Sequence, residues 1–173
     1  MTTQKTMVVG LGNLMRTDDA VGMLSARAVA ESSRLPQEIE VVEGGTLGLD
    51  LLGILYGCSR LLVLDAVDFG AAPGTLARFD SEAIARLPTS KSVHLLGLSD
   101  LLNVMHLMEA PAMEVVLLGV QPESTDWGTD LTPAVAQAQP RMIEHALQQI
   151  LQWMDGDADG ESRGGLELAA VQG

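Results

Sequence analysis

Cationic side chains are scarce in this chain: ten Lys and Arg stand against 23 Asp and Glu, leaving a formal charge of −13. Nucleic-acid binding draws on Lys and Arg to displace counterions from phosphates, so no nucleic-acid partner is expected. Aromatic residues make up only 3% of the sequence, too few for a base-stacking platform. One cysteine, Cys58, cannot close an internal disulfide, which fits a reducing compartment. No uncharged apolar run approaches the roughly 18 residues that suggest a membrane span. The opening MTTQKTMVVG has none of the basic, apolar and cleavage regions of a secretory signal. The expectation is a cytoplasmic monomer without a membrane contact.

Apolar residues are abundant instead, at 47% of 173 residues, with a positive mean hydropathy. That length is most simply one domain with a substantial core. The single domain is placed at 1–154, and the Gly- and acid-rich stretch from Asp155 to residue 173 is expected to be a disordered tail. Strand-like and helix-like segments alternate, the pattern of an α/β sheet covered on both faces. Strands are predicted at 6–11, 38–44, 60–67, 75–80 and 113–120. The segment at 75–80 alternates apolar and polar residues, and is predicted to be an antiparallel edge strand. Helices are predicted at 18–32, 47–56, 97–108 and 131–153, with Pro140 kinking or breaking the last. The helix at 97–108 is apolar nearly all round and should be buried. Asp18 or Thr17 can cap the first helix.

Open parallel sheets form their sites at the carboxyl ends of strands, beside the point where strand order reverses. Asp19, after the first strand, and Asp65, ending the third, fall in that zone. His94, in KSVHLLGL, is a third polar residue in apolar surroundings. Two carboxylates and an imidazole suit a borderline divalent metal with positions left open. The stretch GLGNLMRTDDAVG (10–22) therefore starts like a phosphate-binding turn but directs negative charge toward a cation. Structural roles compete with this reading, since a carboxylate on a first helical turn is also favoured by the helix dipole. His106, His145 and Cys58 are read as structural. DGDADGE, from Asp155, imitates a calcium loop but has Leu166 where the twelfth-position acid belongs.

Five segments taken in order carry a resemblance: GLGNLMRTDDAVG, EGGTLGLDLL, LLVLDAVDFGAAPGT, HLLGLSDLL and VVLLGVQPES. Together, over about residues 6 to 153, the chain resembles the maturation endopeptidases of nickel–iron hydrogenases. The resemblance implies an enzyme that removes a C-terminal extension from the hydrogenase large-subunit precursor after nickel insertion. It implies a three-layer α/β/α fold whose five-stranded mixed sheet has order 2-1-3-5-4, with strand 4 antiparallel. It also implies that Asp19, Asp65 and His94 are the metal ligands and catalytic set, gripping nickel carried by the substrate or another divalent metal. Gly44, Gly45 and Thr46 correspond to a turn associated with substrate recognition. The first ligand is often glutamate in such proteins, and Asp19 is one methylene shorter.

Two other classes share parts of this pattern. A phosphoryl-accepting receiver domain also has an acid pair after strand one and an aspartate ending strand three. It needs a lysine ending the last strand, where this chain has GVQPES. A nucleotide-binding module would use GLGNL as its turn and Glu43 as its ribose acid, but the third glycine is replaced by Met15.

Overall fold

The computed structural model describes residues 5–46, 48–88 and 93–159. Strand β1 (Lys5–Leu11) leads through a 3₁₀ turn (Thr17–Ala20) into α1 (Val21–Ala30) and β2 (Glu40–Gly45). A second 3₁₀ turn (Gly48–Leu51) and the short α2 (Leu52–Leu55) precede β3 (Cys58–Ala66). Then follow β4 (Leu76–Asp80), α3 (Ser81–Arg86), α4 (Val93–Leu107), β5 (Glu114–Val120) and α5 (Pro133–Asp159). The sheet order is β2-β1-β3-β5-β4, with β4 antiparallel to β5 and the other pairs parallel. The expected order and the antiparallel edge strand are both present.

Two apolar layers sandwich this sheet, because alternate strand residues point to opposite faces. Val8, Leu62, Leu64 and Val116 pack with α1 and α5. Met7, Val9, Leu61, Val63 and Leu117 pack with α2, α3 and α4. Close contact of α1 with the sheet depends on Gly22, where a Cβ would lie 2.2 Å from the Leu64 carbonyl oxygen and 2.3 Å from that of Leu11. Among the described residues, no helix is long and apolar enough to cross a membrane.

Several expectations are corrected. Helix α1 starts at Val21, after the 3₁₀ turn, and neither helical segment carries a side-chain cap hydrogen bond. Capping by Asp18 or Thr17 is therefore replaced by the contacts described below. Helix α4 buries only one face, through Leu98, Leu101 and Met105, while Leu107 is exposed. It also starts early enough to take His94 into its first turn. Pro140 lies inside α5 without ending it, and the helix continues through Asp159. Residues 155–159, read as tail, are thus helical; the rest of that segment lies outside the described residues. Helix α3 was not anticipated, although Asp80 caps it by accepting a hydrogen bond from the Ala83 N–H at 2.8 Å.

Candidate metal centre at the sheet edge

β1 has β2 on one side and β3 on the other. The chain therefore reverses direction across the sheet between β1 and β3, which opens a crevice at their carboxyl ends. Asp65 is the penultimate residue of β3 and is fully buried. It alternates with Leu64 and Ala66 of the α1 face, so its side chain shares the α4 face with Leu61 and Val63. His94 approaches from the first turn of α4, and Asp19 from the 3₁₀ turn after β1.

These three residues converge. His94 Nδ1 stands 3.6 Å from Asp19 Oδ1 and 3.5 Å from Asp65 Oδ1. One donor atom from each residue can be chosen so that all lie within 4.8 Å of one another. His94 Nδ1 is buried and makes no hydrogen bond. An imidazole nitrogen aimed at two carboxylate oxygens beyond hydrogen-bond reach is well placed to ligate a cation among them. The residues present therefore fit a divalent metal.

Asp19 is held from behind. Its Oδ2 accepts a hydrogen bond from the Asn13 N–H at 3.0 Å, leaving Oδ1 on the His94 side. Such outer hydrogen bonds orient a ligating carboxylate. Gly12 makes the turn possible: at φ +136° a side chain is strained, and a Cβ would fall 1.9 Å from the Asp19 carbonyl oxygen. The Gly12 N–H donates to the Gly45 carbonyl at 3.0 Å, tying the turn after β1 to the end of β2. Burial raises the Asp19 pKa against the lowering effects of His94, the Asn13 N–H and Arg16. Burial lowers the His94 pKa, and Asp19 opposes that shift. A depressed histidine pKa favours the neutral imidazole, the form that binds metal.

Asp18 has a different duty. It is fully buried, and its Oδ2 accepts from the N–H groups of Glu123 and Ser124 at 2.8 and 3.1 Å. Its Oδ1 accepts from the Thr132 N–H at 2.7 Å, and the Thr132 hydroxyl donates to the same carboxylate. The carboxylate thus clamps the loop after β5 to the turn that carries Asp19. Gln121 does similar work next door: its Oε1 accepts from the Phe69 and Ala71 N–H groups, and its Nε2 donates to Asp68. Sequence reading missed both clamps, because their partners lie 50 or more residues away along the chain.

Of the expected recognition turn, Gly45 and Thr46 line an open groove of about 350 Å³ beside His94, with Gly48, Leu51, Gly97 and Leu101 among its other walls. Gly44 is buried, with the Val9 and Leu11 side chains against it. Glu43 points away into a bidentate ion pair with Arg27, at 2.9 and 2.8 Å. That pairing occupies the acid a nucleotide ribose would need. Cys58 is buried, and desolvation raises its thiol pKa, as expected of an inert cysteine. His106 lies on the exposed side of α4.

The family model for hydrogenase maturation proteases matches residues 24–149. The chain is 37% identical over 147 residues to a hydrogenase 2 maturation protease of Escherichia coli strain K12, covering 84% of this chain and 87% of that protein. The chain belongs to the hydrogenase maturation protease family. Another relative, a hydrogenase expression/formation protein HupD of Rhodobacter capsulatus, is 34% identical over 153 residues, covering 87% of this chain and 73% of that one. Among solved structures, the hydrogenase maturating endopeptidase HybD of E. coli superposes with a TM-score of 0.77 at 35% identity, covering 89% of this chain and 94% of that chain. The [NiFe] hydrogenase maturation protease HybD of Thermococcus kodakarensis gives 0.73 at 26% identity, covering 85% and 99%. This hydrogenase maturation protease thus shares their fold through most of its length.

Proposed function

We propose that this endopeptidase removes a C-terminal extension from the large-subunit precursor of a nickel–iron hydrogenase after nickel insertion, using Asp19, Asp65 and His94 to grip the nickel that the precursor carries. The observation that supports this most is the convergence of those three donors, from separate parts of the sequence, on one point at the switch of the sheet. A borderline ion such as nickel matches two carboxylates and an imidazole. A precursor-borne ion held there fixes the adjoining peptide bond against the cleft, and binding of the ion acts as a checkpoint. Without nickel, the acidic cleft and its target lack their bridge.

The metal supplies either polarisation of a carbonyl or acidification of a water. The chain's own residues supply position: the Asn13 N–H fixes Asp19, strand β3 fixes Asp65, and the first turn of α4 presents His94. The Gly45–Thr46 edge of the groove beside His94 receives the precursor backbone. Purified protein mixed with nickel-loaded precursor is expected to shorten it by one defined C-terminal peptide, read by intact mass. Nickel-free precursor is expected to stay intact. An unchanged mass of loaded precursor removes the proposal.

A further inference from the structure

The loop after β5 holds Trp127 with 76% of its surface exposed, in a protein with only two tryptophans. The other, Trp153, is buried in the core. Beside this loop, on the turn after β1, Met15 is 54% exposed. Neither side chain contributes to the core, yet both sit on backbone that is firmly fastened. The Gly128 N–H donates to the Met15 carbonyl at 3.0 Å, and the Thr17 N–H donates to the Gly128 carbonyl at 2.9 Å. Arg16 stacks its guanidinium over the Trp127 ring, 5.0 Å from the centroid, while its Nε donates to the Thr125 carbonyl. The Asp18 clamp closes the same junction from inside.

Exposed apolar side chains on a rigid, hydrogen-bonded platform lose little entropy when covered. Trp, Met and Arg are also the residue types enriched in interface cores and hot spots. The platform adjoins the candidate metal centre: Arg16 is three residues from Asp19, whose N–H donates to the Arg16 carbonyl at 2.9 Å.

Resting on the function proposed above, we infer that Met15, Arg16 and Trp127 form a docking ledge for the hydrogenase large-subunit precursor. The ledge receives an apolar side chain of the precursor surface next to its nickel site. The occupant follows from continuity with the metal centre, since a precursor whose ion reaches Asp19 must lay adjoining surface over Arg16 and Trp127. Binding energy gathered there raises affinity without entering the chemistry, so it acts on KM rather than kcat.

The test uses the full chain labelled with fluorotryptophan, whose two ¹⁹F resonances are assigned with Trp127→Ala. Unlabelled nickel-loaded precursor should shift or broaden the Trp127 resonance and leave Trp153 unmoved. Trp127→Ala should raise KM for the precursor by roughly ten- to thirtyfold with kcat and thermal midpoint unchanged, and Trp127→Phe should recover most of the loss. A Trp127 resonance unmoved at saturating precursor, or an unchanged KM in Trp127→Ala, overturns the ledge. So does a Trp127 shift that follows the chain's own concentration without precursor, which would mean self-association. If the resonance moves but the precursor is not shortened, the ledge stands and the cleavage reading fails.

Discussion

Asp18 and Asp19 are the same residue type, adjacent in one 3₁₀ turn, and the molecule uses them in opposite ways. Asp18 turns inward, and its hydrogen-bonding capacity is consumed by Glu123, Ser124 and Thr132. Asp19 turns to the sheet edge with one oxygen held by Asn13 and the other facing His94. A carboxylate surrounded by N–H donors is stabilised in place and chemically spent. A carboxylate desolvated beside an imidazole, with an oxygen left over, is under electrostatic tension that a cation would relieve. Position in the sequence does not separate structural acids from ligating ones; the supply of donors around them does.

The largest expected contrast is between function and stability at the two positions. Asp19→Asn and His94→Ala should abolish precursor processing, read by intact mass, while urea unfolding shows neither variant less stable than the parent. Retained processing in both would break the metal assignment. Asp18→Ala should do the reverse in the first instance, destabilising the fold by roughly 2–4 kcal/mol, because it leaves a buried carboxylate's several partly buried N–H partners unpaired at once. An Asp18→Ala midpoint equal to the parent's would show that the clamp is dispensable.

Gly12→Ala tests the link between the two acids. It should cost about 2–3 kcal/mol in unfolding free energy through backbone strain and collision with the Asp19 carbonyl. It should also weaken binding of nickel-loaded precursor, measured calorimetrically, because the turn that carries Asp19 must shift. A smaller effect is expected from pH. The raised pKa of Asp19 means that its ionisation costs the metal-free fold stability at neutral pH. That cost disappears as pH falls through the raised pKa toward the ordinary carboxylate value, where the folded and unfolded forms both hold the proton. Metal-free Asp19→Asn should therefore gain on the parent near neutrality, and the gap should close on acidification in denaturant titrations at several pH values. Thr132→Val is the mildest change, costing about 1 kcal/mol for the lost hydroxyl bond to Asp18. Thr132→Ser should restore it.

Much of the site was legible because its signals are local. RLLVLDAV reads as a buried strand on composition alone, and a carboxylate ending such a run has few structural uses. With Asp19 after the first strand, the rule that sites gather at the switch of a parallel sheet was enough to bring the two acids together. His94 joined them as a lone polar residue in the apolar stretch KSVHLLGL, and the family resemblance gave it the same role. The Asp18 clamp was illegible for a physical reason. Its location suggests a helix cap, because capping is the local use for an acid there, whereas its actual donors come from the loop after β5, more than 100 residues on. The exposure of Leu107 on α4 was hidden for a related reason: an apolar composition specifies that a helix can be buried, not how much of its surface the neighbours reach. Helix α3 is only six residues long and rests on a cap and one buried isoleucine, too little signal to stand out.

Among the described residues, the two apolar layers on either side of the sheet share no helix, and the residues that converge at its edge are divided between them. Asp19 precedes α1 on one face, while His94 opens α4 on the other. Under the proposed function, an ion seated with Asp65 between them would act as a fastener across the margin of the sandwich, and its arrival should slow amide exchange in the first turns of both helices together. Under the function proposed above, the precursor's cargo would then also report enzyme rigidity, and release of the processed product would loosen the joint that loading had tightened.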